Sequence, residues 1–198
     1  MGKYTYICPF TCLLVLLLSG CSSYKDNLQY VDPFIGTDAT HFISDWRSEA
    51  CTYPGAVAPH GIVQISPETS APGDYLQGYY YSQDTIRRFS MAEHFSGWPD
   101  GSHGKGVIMP FTQPGNSEIT LRTAASHFSH DREEASPGYY SVYLDDSKIK
   151  CRFASLTRSG IGSFIFEGQG ERGVILEGVR SLVTINETEL ELKIASGS

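Results

Sequence analysis

The sequence predicts a mainly β protein, an antiparallel β-sandwich with little helix, on three observations. Short runs of alternating apolar and polar residues recur about every ten residues after residue 60. Gly, Asp and Asn, the residues that turn a chain cheaply, stand between these runs. Stretches of helical period are scarce, while tyrosine (12) and phenylalanine (10) are plentiful, as a sandwich core or a sugar-handling surface requires.

The elements follow in order. Gly61-Ile-Val-Gln-Ile-Ser66 is a β-branched run that reads as a strand closed by Pro67. Residues 84–93 offer a short helix, with Asp84 or Thr85 as cap and Ile86 and Phe89 on one side. Residues 138–144 alternate, with Tyr140, Val142 and Leu144 on one face. Asp145-Asp146-Ser147 then supplies turn chemistry before residues 148–156, so the pair reads as a β-hairpin. Residues 161–166, 173–176, 182–185 and 189–194 continue the series. Residues 36–61 lack periodicity, and a loop so long inside a compact domain is a functional candidate. The last alternating strand, Leu190, Leu192 and Ile194, reads as part of a longer architecture.

The amino terminus carries a processing signal. Lys3 precedes a short apolar run through Leu18, about half of the roughly twenty residues that span a bilayer. Leu18-Ser19-Gly20-Cys21 resembles a bacterial lipoprotein cleavage box with Cys21 as the lipidated residue; an ordinary secretory signal is the other reading. Residues 1–20 are then the signal, 21–29 a tether and 30–198 one domain, lipid-anchored in the bacterial cell envelope rather than spanning the membrane.

A formal charge of −7, with basic residues clustered only in pairs such as Arg87-Arg88, argues against nucleic acid as a partner. Cys51 and Cys151 remain after processing. They can pair across the chain, but Ile149-Lys150-Cys151-Arg152-Phe153 alternates, and a buried free thiol fits Cys151 as well.

Chemistry-bearing residues concentrate in residues 89–110, a segment unlike any single regular element and so read as a loop. It holds His94, Ser96, Gly97, Trp98, Asp100 and His103. A sugar ring stacks its apolar face on an indole and offers hydroxyls to short polar side chains. Trp98 with His94, Ser96 and Asp100 supplies that set, although a tryptophan is also a common packing residue. No Gly-x-Ser-x-Gly occurs, and the glycines around His103 do not match a phosphate loop. His127, His130 and Asp131 offer metal ligands but lie at a spacing that shares a face only on a helix, so surface histidines are the simpler reading. The adjacent acids Glu133-Glu134 and Asp145-Asp146 read as solvated, not as a catalytic pair.

Several ordered motifs resemble the amino-terminal domain of glycoside hydrolase family 92. They are Tyr30-Val-Asp-Pro-Phe-Ile-Gly-Thr37, Thr52-Tyr-Pro-Gly-Ala56 and Pro59-His-Gly-Ile-Val-Gln-Ile-Ser-Pro-Glu-Thr69. Gly78-Tyr-Tyr-Tyr81, Thr85-Ile-Arg87, Phe89-Ser90 and His94-Phe-Ser-Gly97 follow. Phe128-Ser-His-Asp131, Glu134-Ala-Ser-Pro-Gly-Tyr-Tyr-Ser-Val142 and Thr157-Arg158 complete the series.

The resemblance implies the supersandwich, of galactose-mutarotase type, of a calcium-dependent, inverting exo-α-mannosidase acting on N-glycan or mannan α-mannosides. It also implies that the catalytic carboxylates and calcium ligands lie in an (α/α)6 barrel outside this chain. No catalytic residue and no metal ligand are therefore expected here. The sandwich would supply a sugar-contacting rim (His94, Ser96, Gly97, Trp98, Asp100) with mannose-containing glycans as ligand and the barrel as partner. The alternative is a stand-alone glycan-binding lipoprotein.

The chain departs from the family pattern in several places. Residues 89–97 are one residue longer than the usual F-S-H-T-H-L-S-G and lack its first histidine. His60 replaces a phenylalanine, Gly162-Ser163 replaces a His-Arg pair, and residues 38–51 exceed the usual short turn.

Overall fold

A computed structural model describes residues 27–38, 52–70, 78–92, 105–115, 118–186 and 189–194. The chain divides into two units, Met1–Tyr30 and Val31–Ser198. In the first, Asn27–Tyr30 forms a 3-10 turn. No helix among the described residues is long and apolar enough to cross a membrane.

The second unit is built from antiparallel strands: β1 (Ala56–Val57), β2 (Gln64–Glu68), β3 (Thr85–Ile86), β4 (Arg88–Ala92), β5 (Lys105–Gln113), β6 (Ser126–His127), β7 (Glu133–Ser136), β8 (Tyr139–Leu144), β9 (Ile149–Ser155), β10 (Gly160–Phe166), β11 (Glu171–Glu177), β12 (Val179–Asn186) and β13 (Glu189–Ile194). One turn of helix, α1 (Leu121–Ala124), is closed by a capping box in which Thr120 and Thr123 each bond the other's backbone N–H. A five-stranded sheet runs β1-β2-β4-β5-β11 and a four-stranded sheet runs β10-β9-β8-β7. The pairs β12-β13 and β3-β6 are separate.

The predicted sandwich is present because the two larger sheets share one core. On β8 and β9 the period-2 pattern decides the face. Tyr140 lies opposite Phe153, Val142 opposite Cys151 and Leu144 opposite Ile149, and all six are buried. From the other sheet Ile65, Phe89, Met109 and Phe111 join the same cluster. The Phe89 and Phe153 rings meet with centroids 4.8 Å apart, which bolts sheet to sheet. Cys151 is a free thiol in this core, and burial pushes its pKa up, so it packs as a small apolar residue. Cys51 lies outside the described residues.

The predicted hairpin forms at β8–β9, with Lys148 in the left-handed conformation that its four-residue turn needs. Three expectations are corrected. Residues 84–93 are not helical but contribute β3 and β4. There Ser90 and Phe89 find backbone partners on both β2 and β5, and that tertiary pairing outweighs a weak local helix signal. Residues 89–110 are not loop throughout, because β4 and β5 occupy both ends. Pro67 does not close its strand but sits inside β2, opposite Phe89. The β1 ladder ends at Ile65, so beyond it the proline has no strand on that side to leave without a donor.

Phe153 touches both sheets, so Phe153→Ala is expected to cost about 3–5 kcal/mol of folding stability, read from the shift in urea midpoint. A loss below about 1 kcal/mol would mean that the two sheets do not share this contact.

Candidate functional site

Cys21 and the predicted sugar-contacting residues His94, Ser96, Gly97, Trp98 and Asp100 lie outside the described residues. The framework around the rim segment is described. β4 ends at Ala92 and β5 begins at Lys105, and these two residues are register partners. The segment carrying Trp98 therefore joins neighbouring antiparallel strands in the interior of the five-stranded sheet. On β4 the side chain of Arg88 donates to Glu68 of β2 through Nε at 2.5 Å, and Glu68 is buried. This charge-assisted bond locks β2 to β4 at the end of β4 remote from the segment, which follows Ala92. Arg87 donates from Nε to the carbonyl of Thr69, and both Thr69 and Ser70 accept the return of the chain by donating their N–H groups to Gly78 O.

Three of the sequence motifs meet a few residues away, around one buried carboxylate. Glu133 opens β7 opposite Val142, a register that points its side chain into the core, and only 1% of that side chain is exposed. Tyr140 donates its hydroxyl to Oε1 at 2.6 Å and Tyr79 donates to Oε2 at 2.9 Å. His130 reaches the same Oε2 through Nδ1 at 2.6 Å, and its Nε2 donates to the backbone oxygen of Tyr81 at 2.8 Å. The Tyr81 ring stacks on His130 at 3.9 Å, with Phe34 and Phe128 edge-on to the pair. Burial beside the carboxylate raises the pKa of both phenols, which keeps Tyr79 and Tyr140 as donors.

Local structure brings these groups together for identifiable reasons. Asp32 Oδ1 accepts from Phe34 N, and Gly36 takes a positive φ, making a tight turn that ends at Thr37. The buried Thr37 then accepts Tyr81 N on its carbonyl, tying the Tyr30–Thr37 motif to the Gly78–Tyr81 motif. Ser129 caps the 3-10 turn His130–Arg132 by accepting from Asp131 N, which orients His130 toward Glu133.

Glu133 is thus a correction to the reading of Glu133-Glu134 as solvated acids: Glu134 faces outward, Glu133 inward. The signal for it was the period-2 pairing of Glu133, Ala135 and the tyrosines that follow. The histidines of the supposed metal motif diverge. His130 belongs to this cluster, whereas His127 is exposed and binds Asp146 through both its backbone N and Nδ1, each at 2.8 Å. Asp145 pairs with Arg132, and Glu167 accepts from Tyr143. Among the described residues no group of three or more His, Cys, Asp or Glu could hold a metal ion. Glu133, Asp145, Asp146 and Glu167 are therefore engaged in holding the scaffold.

An antiparallel sandwich hosts many functions, and it is the match to known families that defines the class of this one. The comparisons make this specific. Residues 30–198 match the glycosyl hydrolase family 92 N-terminal domain, and the chain belongs to that family. It is similar to the solved GH92 α-mannosidase BT3965 of Bacteroides thetaiotaomicron, with 31% identity, a TM-score of 0.59 and coverage of 75% of this chain but 20% of that one. The GH92 inverting mannosidase BT2199 of Bacteroides thetaiotaomicron shares 25% identity at a TM-score of 0.60, over 75% and 19% of the two chains. The GH92 family glycosyl hydrolase ccman5 shares 27% at 0.63, over 83% and 23%. The chain thus spans about a fifth of the length of these solved relatives. No curated protein matches it significantly.

Two predictions follow from the polar clusters. Glu133→Ala leaves two buried phenols and His130 without their shared acceptor, so a loss of about 3–5 kcal/mol is expected in urea unfolding. Tyr140→Phe is expected to cost about 1–3 kcal/mol, and the two changes should be non-additive. Additive losses would show that the groups do not act together.

The second concerns pH. The His127 pKa is raised, chiefly by its side-chain hydrogen bond to Asp146, and the Asp146 pKa is lowered, chiefly by the His127 backbone N–H. The His127 contribution to stability is complete below its ordinary value of 6.5 and fades as pH rises through the folded value. The Asp146 contribution is complete above its ordinary 3.8 and fades as pH falls through the folded value. Both contribute fully between those two ordinary values. NMR titration should find His127 titrating above 6.5 and returning toward it in Asp146→Asn.

Proposed function

We propose that this chain forms the sugar-pocket rim of an exo-acting, inverting, calcium-dependent α-mannosidase that trims α-mannosides from N-glycans or mannans. The observation that carries this reading is the family match over residues 30–198 together with solved relatives named as mannosidases, one of them an inverting mannosidase. Structures of BT3965 include a complex with mannoimidazole, which supports mannose as the ligand of the family fold.

Inversion needs two carboxyl groups about 6.5–9.5 Å apart, one to activate water and one to protonate the departing oxygen. In this reading those groups, and the ligands of calcium, belong to a catalytic barrel outside residues 30–198. The described residues gather no cation site, so no step is assigned to calcium within them. Here the chain's own part is binding. Trp98 offers a stacking platform, while His94, Ser96 and Asp100 offer hydrogen bonds to sugar hydroxyls, with Gly97 allowing close approach. The β4–β5 pairing supports this by fixing both ends of the segment. Cys21 would anchor the protein by lipid in the cell envelope, both in this reading and in the second, a stand-alone glycan-binding lipoprotein.

Calorimetry with mannose oligosaccharides tests the binding role. Saturable heat is expected and should vanish in Trp98→Ala, and its absence in the unaltered chain would sink the role proposed for the rim. The same chain with calcium is expected to release nothing from an aryl α-mannoside. Turnover above background would place the catalytic pair within these residues.

A further inference from the structure

The cluster around Glu133 fixes a number of protons. Four contacts converge there: Tyr140 to Oε1 at 2.6 Å, Tyr79 to Oε2 at 2.9 Å, His130 Nδ1 to Oε2 at 2.6 Å, and His130 Nε2 to the Tyr81 carbonyl at 2.8 Å. Each contact needs one proton, and the two phenols supply two of the four. A carbonyl has none to give, so Nε2 carries the third. The fourth lies between Nδ1 and Oε2. His130 and Glu133 therefore hold two protons between them, whichever atom owns the shared one. A neutral imidazole beside a bare carboxylate holds only one.

We propose that His130 and Glu133 form a pH-operated latch on Tyr81, closed while the pair holds two protons and opened when one is lost to solvent. With a single proton, either Nδ1 meets Oε2 or Nε2 meets the Tyr81 carbonyl as lone pair against lone pair. Both distances are ones that only a hydrogen bond tolerates. His130 is the member that yields. Its side chain is 32% exposed against 1% for Glu133, so the ring can turn out to water while the carboxylate stays with its phenols. In leaving, the ring withdraws both its bond from the Tyr81 carbonyl and its stack on the Tyr81 ring. Tyr81 N is the donor to Thr37 O, so the release passes to the turn that ends at Thr37. The sign is alkaline: the latch opens as pH rises.

The other groups packed here do not supply the switching proton. Burial, and then the neighbouring Glu133, raises the pKa of Tyr79 and Tyr140, and burial raises that of the Cys151 thiol, which acts on Tyr140. Asp38 and Tyr81 act on Tyr79 through space, and Asp38 accepts a bond from Ser82. In the 3-10 turn Asp131 is exposed and Arg132 pairs with Asp145. Phe128 against His130 and Phe34 against Tyr81 bring no charge.

Amide hydrogen exchange of the full chain, compared with Glu133→Gln at each pH, tests this. The glutamine amide N–H stands in for the shared proton and its carbonyl still accepts from Tyr140, so the variant keeps the latch closed with no proton to lose. Comparison at equal pH also cancels base catalysis of exchange. At mildly acidic pH the Tyr81 amide should exchange equally in both. At mildly alkaline pH it should exchange about tenfold faster in the unaltered chain, the scale of one lost hydrogen bond. Equal exchange at both pH values, or the same alkaline rise in Glu133→Gln, would overturn the proposal. A second measurement needs no variant. The His130 ring-nitrogen NMR shifts and the Tyr81 amide shift should move together at one midpoint, and a Tyr81 amide that ignores the His130 transition would equally overturn it.

Discussion

The buried carboxylate of Glu133 is the contact on which the order of this domain depends. In a core, nothing but neighbouring donors offsets the hydration that a buried carboxyl group loses. Tyr79, Tyr140 and His130 supply those donors from three separate segments of chain. Satisfying one group therefore fixes the Gly78–Tyr81 motif, the 3-10 turn before β7 and the strand β8 with respect to one another. The stack of Tyr81 on His130, and the bond from Tyr81 N to Thr37, extend the same constraint to the turn at Phe34.

The constraint has a functional side. The five-stranded sheet frames the segment proposed to touch sugar, and its strands β2 and β4 are pinned by Glu68 and Arg88. The segment between Ser70 and Gly78 returns the chain from that sheet to Tyr79, so the Glu68–Arg88 lock and the Glu133 cluster lie at either end of a short path. A binding segment is best carried by rigid elements, because the ordering cost is then met on folding rather than on ligand binding. Glu68 and Glu133 are both committed to this scaffold.

Much of the fold was legible because a strand facing a core on one side writes a period of two into its residues. Tyr140, Val142 and Leu144 announced their face, and Asp145-Asp146-Ser147 announced the turn after them. Other elements were illegible for equally physical reasons. β4 carries Phe89 inward amid polar neighbours, and its identity as a strand comes from partners on β2 and β5 that are remote in sequence. Pro67 read as a stop because local reasoning cannot know that the neighbouring ladder has already ended. The motifs that mark the family were visible in the chain, but their meeting around one carboxylate was not.

The sequence alone determined the class of the domain and its family resemblance, since each depends on local pattern or on residue chemistry. Tertiary structure decided which of two adjacent glutamates is buried, because Glu133 and Glu134 differ only in the side of the sheet to which β8 pairing turns them. It also decided that His127 and His130 serve different partners. Those outcomes follow from register and strand order, which are properties of pairs of segments and not of any one of them.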